Sequence, residues 1–287
     1  MKRNLTIIAA VVLAILFSQG INAQVISVKE LADLMDGGDL VIVSARKATD
    51  YAKVHLPGAI NIWHQDLYQD GEIKAICKNS DEIAAYLGAR GISADKTVVI
   101  YDSGKSRFAG RLYWILKCAG CKDVRILDGH MKMWRKGRKK VTKQATEIAA
   151  VEFNGTADMS ICIPMAEVKT SLGKEGVMLV DVRDPEEYAG EKGITERKGH
   201  LPGAVRFDFN SILNADGTVK SKDELAALFT AAGIVSGNQN ILYCDTSIRA
   251  GMIYMVLNAI LEYPNVRVYD GAMSEWAADP ANPLDKG

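Results

Sequence analysis

The pentapeptide HLPGA stands at residues 55–59 and occurs again, unchanged, at residues 200–204. An apolar run that ends in arginine precedes each copy, VIVSAR at 41–46 and MLVDVR at 178–183. Identical residues in a row with a matching segment before them are hard to obtain by chance, so they indicate an internal repeat. We therefore predict two copies of one fold in tandem.

Short β-branched runs alternate with helical patterns in both copies. The runs at 97–101, 240–243 and 266–269 favour buried strands, whereas 108–118 and 250–261 have apolar residues at helical spacing. This alternation is typical of a parallel sheet covered by helices. The predicted fold class is α/β, with a mainly parallel sheet flanked by helices in each of two domains.

The N-terminus has the pattern of a secretory leader. Lys2 and Arg3 precede an apolar run that ends at Phe17, and small and polar residues follow up to Ala23. A bilayer-spanning helix needs about 20 apolar residues, more than this run offers. We predict a signal peptide over residues 1–23, export to the periplasm and no stable membrane span after cleavage; an uncleaved anchor is the alternative.

The composition of the sequence indicates where the domains lie and which partners to expect. We predict an N-terminal domain over residues 24–142, a polar linker without periodicity over 143–160 and a C-terminal domain over 161–287. The 35 Lys and Arg residues balance the 35 Asp and Glu residues, which gives a formal net charge of +0. Without a basic excess we expect no nucleic-acid partner. The four histidines show no spacing typical of a metal site.

One cysteine stands where a predicted strand meets a predicted helix, in ILYCDTSIRAG at residues 241–251. Such a loop directs backbone N–H groups inward, and the helix dipole adds partial positive charge, so a thiolate or an anion is favoured there. Arg249 would stabilise the thiolate and hold an anionic substrate. Asp102 occupies the corresponding place in the first unit. We therefore predict a nucleophilic Cys244 and a catalytically silent first domain.

These features resemble the tandem rhodanese-type sulfurtransferases, which share the duplicated unit, an HLPGA-like stretch and a cysteine in the C-terminal half alone. The resemblance covers residues 25–285. It implies that Cys244 takes sulfur from a small anionic donor, becomes a persulfide and passes the sulfur to cyanide or a thiol, with no metal or organic cofactor. The implied substrate-binding residues are Asp245, Thr246, Ser247, Ile248, Arg249, Arg183 and Arg197, with Asp181 in a supporting role.

The sequence leaves alternatives open for the sulfur donor and for the function of the cysteine loop. Thiosulfate suits a loop that ends in Arg249, whereas the mercaptopyruvate-using branch typically has an arginine where Glu187 stands. Arg197 could still supply a carboxylate contact, so 3-mercaptopyruvate is the alternative donor. A cysteine phosphatase needs a longer loop than the four residues between Cys244 and Arg249. Many sulfurtransferase loops have glycine in place of Ser247. A non-catalytic sulfide- or redox-sensing module is the alternative function.

Two pairings also stay open. Asp181 could form an ion pair with Arg183 or Arg249, either to support the loop or as a structural pair at a strand end. Cys118 and Cys121 have the spacing of a redox pair but lie at a helix end, which favours a structural disulfide or coincidence. The chain has 5 cysteines. At least one thiol must therefore lack an internal partner, and Cys244 is the candidate.

Overall fold

The protein contains two parallel β-sheets of the same design. A computed structural model describes residues 24–37 and 39–287, so the predicted signal peptide, residues 1–23, lies outside the described residues. All pairings between the named strands are parallel. The strands are β1 (Val25–Ile26), β2 (Leu40–Ser44), β3 (Ala59–Asn61), β4 (Thr97–Tyr101), β5 (Asp123–Leu127), β6 (Cys162–Ile163), β7 (Val177–Asp181), β8 (Val205–Arg206), β9 (Gln239–Tyr243) and β10 (Val266–Tyr269).

Strand order is the same in both sheets, β1-β5-β4-β2-β3 and β6-β10-β9-β7-β8. The central strands β4 and β9 are buried at every position but the first. Burial on both faces is expected of parallel strands that are covered by helices on either side. The predicted α/β class, with two tandem domains that each contain a parallel sheet, is confirmed.

Helices flank the sheets, and several begin at a side-chain cap. Ser27 and Glu30 form a capping box at the first helix, as Ser221 and Glu224 do at the eighth. Within residues 24–37 and 39–287, no helix combines the length and apolarity that a membrane crossing requires. The α-helices are α1 (Val28–Leu34), α2 (Ala48–Lys53), α3 (Ser80–Gly88), α4 (Arg107–Cys118), α5 (His130–Lys136), α6 (Met165–Ser171), α7 (Pro185–Tyr188), α8 (Lys222–Ala231), α9 (Ile248–Met255, followed by a π-helical segment, Val256–Ile260) and α10 (Ala272–Trp276).

Each HLPGA stretch forms a corner that leads into an edge strand. Gly58 and Gly203 have φ angles of +73° and +71°, a backbone conformation that favours glycine. The histidine rings of the two copies, His55 and His200, stack on tyrosine rings at centroid distances of 3.8 and 3.7 Å. The repeated motif therefore builds the same turn twice, and its histidines act as turn residues in both halves.

The two halves meet where α4 crosses α9. A Cβ atom at Gly110 would lie 2.5 Å from the backbone of Met252, and one at Gly251 would lie 2.5 Å from the Gly110 carbonyl oxygen. The crossing therefore depends on two glycines that allow the backbones to touch. One apolar core extends from the first sheet to the second through these helices.

Two aspartates that follow equivalent strands each hold the opposite half. Asp128, after β5, accepts a hydrogen bond from the Val219 amide at 2.9 Å. Asp270, after β10, accepts one from the Cys77 amide at 2.8 Å and forms an ion pair with the buried Arg111, also at 2.8 Å. Each half therefore provides an aspartate that binds a backbone amide of the other half.

Candidate active site

Cys244 lies directly after β9, at the carboxyl end of the second sheet, and is 1% exposed. Ser247 caps the following helix, α9, with a φ angle of 54°. A serine therefore occupies the left-handed position where many related loops have glycine. Its hydroxyl donates a hydrogen bond to the Tyr269 carbonyl, which ties the loop to the neighbouring strand β10.

The loop backbone is held in one orientation by α10. The carbonyl of Cys244 accepts a hydrogen bond from the Met273 amide at 3.1 Å, and that of Asp245 accepts one from the Ser274 amide at 3.0 Å. The Ser274 hydroxyl also donates to the Asp245 carbonyl at 2.8 Å. In a trans peptide the N–H points away from its carbonyl, so the next two amides face away from α10. These amides and the free N–H groups of the first turn of α9 can line a binding site for an anion.

The equivalent loop of the first half shows such a site occupied by its own side chain. Asp102 lies where Cys244 lies in the second half, and its carboxylate accepts hydrogen bonds from three amides. These bonds come from Gly104 at 2.7 Å, Phe108 at 3.3 Å and Ala109 at 3.4 Å. A carboxylate at a helix N-terminus is stabilised by these donors and by the helix dipole. The first half therefore supplies its own anion.

The corresponding amides of the second half belong to Arg249 and Ala250, since Ser106 and Ser247 are the equivalent helix caps. Across residues 24–37 and 39–287, no side chain accepts a hydrogen bond from either amide. The second half has thus exchanged a fixed carboxylate for a thiol and has left its amide donors available.

The Arg249 guanidinium is held by two carboxylates. Its Nη1 and Nη2 donate to Glu187 at 2.8 and 3.1 Å, and Nη2 also donates to Asp245 at 2.8 Å. Burial lowers the pKa of Arg249, but the negative charges of Cys244, Glu187 and Asp245 outweigh it and raise that pKa above its usual value. Arg249 therefore stays positively charged and fixed beside the loop.

Asp245 and Glu187 share this arginine unequally. Burial and the nearby Glu187 carboxylate raise the pKa of Asp245 to about 7. Burial would also raise the pKa of Glu187, yet its hydrogen bonds, with that to Arg249 the largest, lower it to about 2. Near neutral pH, Glu187 is thus the permanent counterion, whereas Asp245 gains and loses a proton.

A second buried arginine supports the other side of the loop. Arg183 donates to Asp181 through Nη2 at 2.6 Å, to the Gly199 carbonyl at 2.7 Å and to Asp245 at 3.4 Å. Burial lowers the pKa of Arg183, but the Asp181 carboxylate more than compensates and raises it above its usual value. The structure thus pairs Asp181 with Arg183, and Arg183 reaches the loop through Asp245.

The remaining predicted site residues fall into two groups. Thr246 and Ile248 lie half-buried on the loop, at its open side. Arg197 lies in the insert before the second HLPGA stretch, where its guanidinium donates to the carbonyls of Asp279 and Asn282, each at 2.7 Å. The structure brings the loop residues together with Arg183 and Asp181, whereas it directs Arg197 to the chain segment after α10.

Glu187 is the site residue whose role sequence reasoning missed. The sequence marks this position only as one where the mercaptopyruvate-using branch has arginine, yet Glu187 is the main partner of Arg249. The sequence did contain a signal, since Asp184 and Glu187 have the spacing of a capping box, which the structure contains at α7. That spacing places the carboxylate on a short helix that faces α9.

The site combines a buried thiol, free amide donors and a fixed positive charge. A thiolate is the nucleophilic form of cysteine, and positive charge and N–H donors stabilise it. The same donors would stabilise a negatively charged group attached to the sulfur. The arrangement thus suits a reaction in which Cys244 carries a charged covalent adduct for part of the cycle.

Comparisons with known proteins show which sequences this chain is similar to. The rhodanese-like domain matches the chain twice, over residues 27–137 and 164–279. A Saccharopolyspora erythraea protein named "Putative thiosulfate sulfurtransferase" is 33% identical over 247 residues, covering 83% of this chain and 86% of that protein. The "Sulfur carrier protein TtuD" of Thermus thermophilus is 33% identical over 251 residues, covering 83% of this chain and 87% of that protein.

A solved structure is similar over most of the chain. It is an EanB variant that contains a cysteine persulfide in a tetrahedral intermediate state with ergothioneine. The TM-score is 0.84 at 25% sequence identity, over 92% of this chain and 71% of that chain. The likeness in fold therefore extends across both halves.

Proposed function

Because this chain belongs to the rhodanese-like domain family and resembles a protein named "Putative thiosulfate sulfurtransferase", we propose that it moves sulfur from thiosulfate to cyanide or a thiol through a persulfide on Cys244. Sulfur transfer needs a donor and an acceptor, which matches the sulfur-carrying relatives. Cys244 is the nucleophile in this proposal, and the loop from Asp245 to Arg249 binds the transferred group.

One observation carries the proposal, namely the difference between the two equivalent loops. In the first half, the amides of Phe108 and Ala109 donate to the Asp102 carboxylate. The equivalent amides of Arg249 and Ala250 have no side-chain acceptor among the residues that the structure describes. A persulfide anion on Cys244 would take the place of the missing carboxylate and accept those donors.

The first step forms one bond and breaks another. The Cys244 thiolate attacks the outer sulfur of thiosulfate, a Cys S–S bond forms, and the bond between the two thiosulfate sulfurs breaks. Sulfite leaves with the electron pair of that bond, so the total charge is conserved. Arg249 and the loop amides stabilise the persulfide anion that remains.

The second step returns the thiolate. Cyanide, or the thiolate of an acceptor, attacks the outer sulfur of the persulfide. The S–S bond to Cys244 breaks, and thiocyanate or an acceptor persulfide leaves. The cycle needs no external oxidant or reductant, because sulfane sulfur is handed over at one oxidation level.

The surroundings of Arg249 support thiosulfate over 3-mercaptopyruvate. The place of the carboxylate-binding arginine is taken by Glu187, which is itself bound to Arg249. Arg197, the other candidate for a carboxylate contact, donates to two backbone carbonyls. A compact dianion needs no such contact, because the loop amides can hold it.

Intact-mass analysis with matched rate measurements tests the proposal. The purified chain is treated with thiosulfate and then with cyanide, and thiocyanate formation is followed over many turnovers. We expect a gain of one sulfur atom, its loss on cyanide addition and continuous turnover. Cys244→Ser should show none of these changes, whereas Cys121→Ser, a substitution of another buried cysteine, should behave like the natural protein.

Each other result has a defined meaning. A gain with 3-mercaptopyruvate but not with thiosulfate would overturn the donor assignment and keep sulfur transfer. A single reaction without turnover would favour a redox- or sulfide-sensing module. No gain with either donor would contradict persulfide chemistry at Cys244. Export to the periplasm stays a prediction, which N-terminal sequencing of the mature protein would check.

A further inference from the structure

Two cysteines at the contact between the halves have adjoining sulfur atoms. The Sγ atoms of Cys118 and Cys162 are 2.9 Å apart. Cys118 is the last residue of α4 in the first half, and Cys162 is the first residue of β6, an edge strand of the second sheet. The pair thus joins the two halves, and sulfur transfer makes no use of it.

The backbone around each cysteine is anchored. The Cys118 carbonyl accepts a hydrogen bond from the Asp158 amide at 2.8 Å, and the Cys162 carbonyl accepts one from Arg267 at 2.6 Å. A disulfide has an S–S distance of about 2 Å, so a movement of less than about 1 Å would complete the bond. Both cysteines are half-buried, which leaves a small reagent a way in.

The other cysteines near this pair are engaged or enclosed. Cys121, the partner expected from the CxxC spacing, is 1% exposed, and burial raises the pKa of its thiol to about 12. The sulfur of Cys77 lies 3.2 Å from Arg111 and 3.8 Å from Asp270, within the contact between the halves. Geometry thus favours Cys162 as the partner of Cys118.

We propose that Cys118 and Cys162 form a reversible disulfide that links the two halves of the protein. The oxidant is a disulfide of another molecule, either a small disulfide or a protein oxidant. The inference rests on the placement of the two cysteines and is independent of the sulfur-transfer reaction at Cys244.

The exchange has two balanced steps. The Cys162 thiolate attacks the external disulfide, forms a mixed disulfide and releases one thiol. Cys118 then loses its proton and attacks the Cys162 sulfur, which forms the internal bond and releases the second thiol. Two protein thiols are oxidised and one external disulfide is reduced. Burial and the neighbouring Cys162 raise the pKa of Cys118, which favours Cys162 over Cys118 as the first nucleophile.

The bond would close a loop that contains β5, α5 and the predicted linker. Such a closure restricts the unfolded chain more than the folded one, where the sulfurs already touch. Oxidation should therefore raise the unfolding temperature by roughly 5–10 °C. It should leave the Cys244 loop unchanged, because among the described residues no hydrogen bond joins either cysteine side chain to that loop.

The test uses Cys244→Ser as the parent, which removes the reactive thiol and leaves four of the 5 cysteines. The parent is incubated with glutathione disulfide or with a reductant, free thiols are alkylated, and intact mass gives their number. We expect four alkylated thiols after reduction and two after oxidation. Peptide mapping should then join the segments that contain Cys118 and Cys162.

Single substitutions in that parent provide the controls. Cys121→Ser should still lose two thiols on oxidation and gain thermal stability, whereas Cys118→Ser and Cys162→Ser should do neither. Four free thiols after oxidation, a bond from Cys118 to Cys121 or Cys77, or a bond between two chains would each overturn the proposal. If a substitution prevents folding, the peptide map of the parent alone decides.

Discussion

The loops after β4 and after β9 occupy the same place in two copies of one fold, and they differ in the origin of their negative charge. The first loop contains its own anion, the Asp102 carboxylate, which is bound to backbone amides. The second has Cys244 there, and the equivalent amides stay available. An anion site can thus serve either to stabilise a fold or to bind a group that arrives and leaves.

Further differences follow from that exchange. The first loop has three residues between Asp102 and its helix cap, Ser106, one more than the two between Cys244 and Ser247. His130 completes the first loop, since its ring bonds the Asp102 amide at 3.0 Å and the Ser106 hydroxyl at 2.7 Å. In the second half, Ala272 occupies the position equivalent to His130. The histidine that closes the first loop thus has no counterpart in the second, where the Ser247 and Ser274 hydroxyls bond backbone carbonyls instead.

The strongest test of the comparison converts the second loop into the first. In Cys244→Asp, the new carboxylate should accept hydrogen bonds from the Arg249 and Ala250 amides, just as Asp102 accepts them from the equivalent amides of the first half. Thiocyanate formation should fall by about 10³-fold or more, because the variant lacks the proposed nucleophile. The unfolding temperature should equal or exceed that of Cys244→Ser. A Cys244→Asp protein that is much less stable than Cys244→Ser would show that the two loops are not equivalent anion sites.

A substitution at the crossing of α4 and α9 should have the next largest effect, a loss of stability. In Gly251→Ala, the new methyl group would lie 2.5 Å from the Gly110 carbonyl oxygen, so the backbones of α4 and α9 must separate. We expect a loss of about 2–3 kcal/mol in the free energy of unfolding, measured with urea. Gly237→Ala is the matched control, because a methyl group there meets no atom within 4 Å. Equal stability of the two variants would mean that the glycine contact is dispensable.

The second loop should respond to pH near neutrality, because Asp245 gains and loses a proton there. Asp245 has its pKa raised to about 7 by burial and by Glu187, so it is neutral below that pH and negatively charged above it. The added charge next to Cys244 would repel thiosulfate, the proposed donor. The first-step rate of Asp245→Asn, divided by that of the natural protein, should rise by about 3- to 10-fold as pH increases through 7.

Stopped-flow measurement of sulfite release gives that ratio. Asp184→Asn is the control, since Asp184 also approaches Arg249, at 3.8 Å, but is 43% exposed. The first-step rate of Asp184→Asn, divided by that of the natural protein, should stay constant over the same pH range. A ratio for Asp245→Asn that is flat with pH would remove Asp245 from the control of the reaction.

The insert before the second HLPGA stretch has no counterpart in the first half, and its arginine gives the smallest expected effect. Arg197→Ala should lose two bonds to carbonyls and about 1–2 kcal/mol of stability. Turnover with thiosulfate should stay within about twofold, because these bonds lie outside the loop. Lys198→Ala is the control. A large loss of turnover with 3-mercaptopyruvate in Arg197→Ala alone would assign this residue to donor binding.

Local patterns in the sequence were enough to predict the fold. The runs at 97–101 and 266–269 form strands with those bounds, because buried β-branched residues carry a local signal. The helix predicted over 108–118 begins one residue earlier, at Arg107. The helix predicted over 250–261 begins at Ile248 and ends in a π-helical segment, whose altered hydrogen bonding has no clear signature in the sequence.

Contacts between distant segments could not be predicted in this way. Glu187 and Arg249 are 62 positions apart, and their pairing depends on how α7 lies against α9. The approach of Cys118 to Cys162 depends on the packing of the halves, which the local spacing of Cys118 and Cys121 does not reveal. The sequence identified Cys244 as the candidate nucleophile because a strand, a loop and a helix adjoin there.

The bonds from Asp128 and Asp270 to the opposite half bear on how such a protein evolves. Each half completes hydrogen bonds of the other, at the Val219 and Cys77 amides. Deleting the first half would leave the Asp270 carboxylate, the Val219 amide and the face of α9 in water, at a cost in stability. Natural selection can therefore preserve a domain for what it contributes to the stability of its neighbour, whatever its own chemistry.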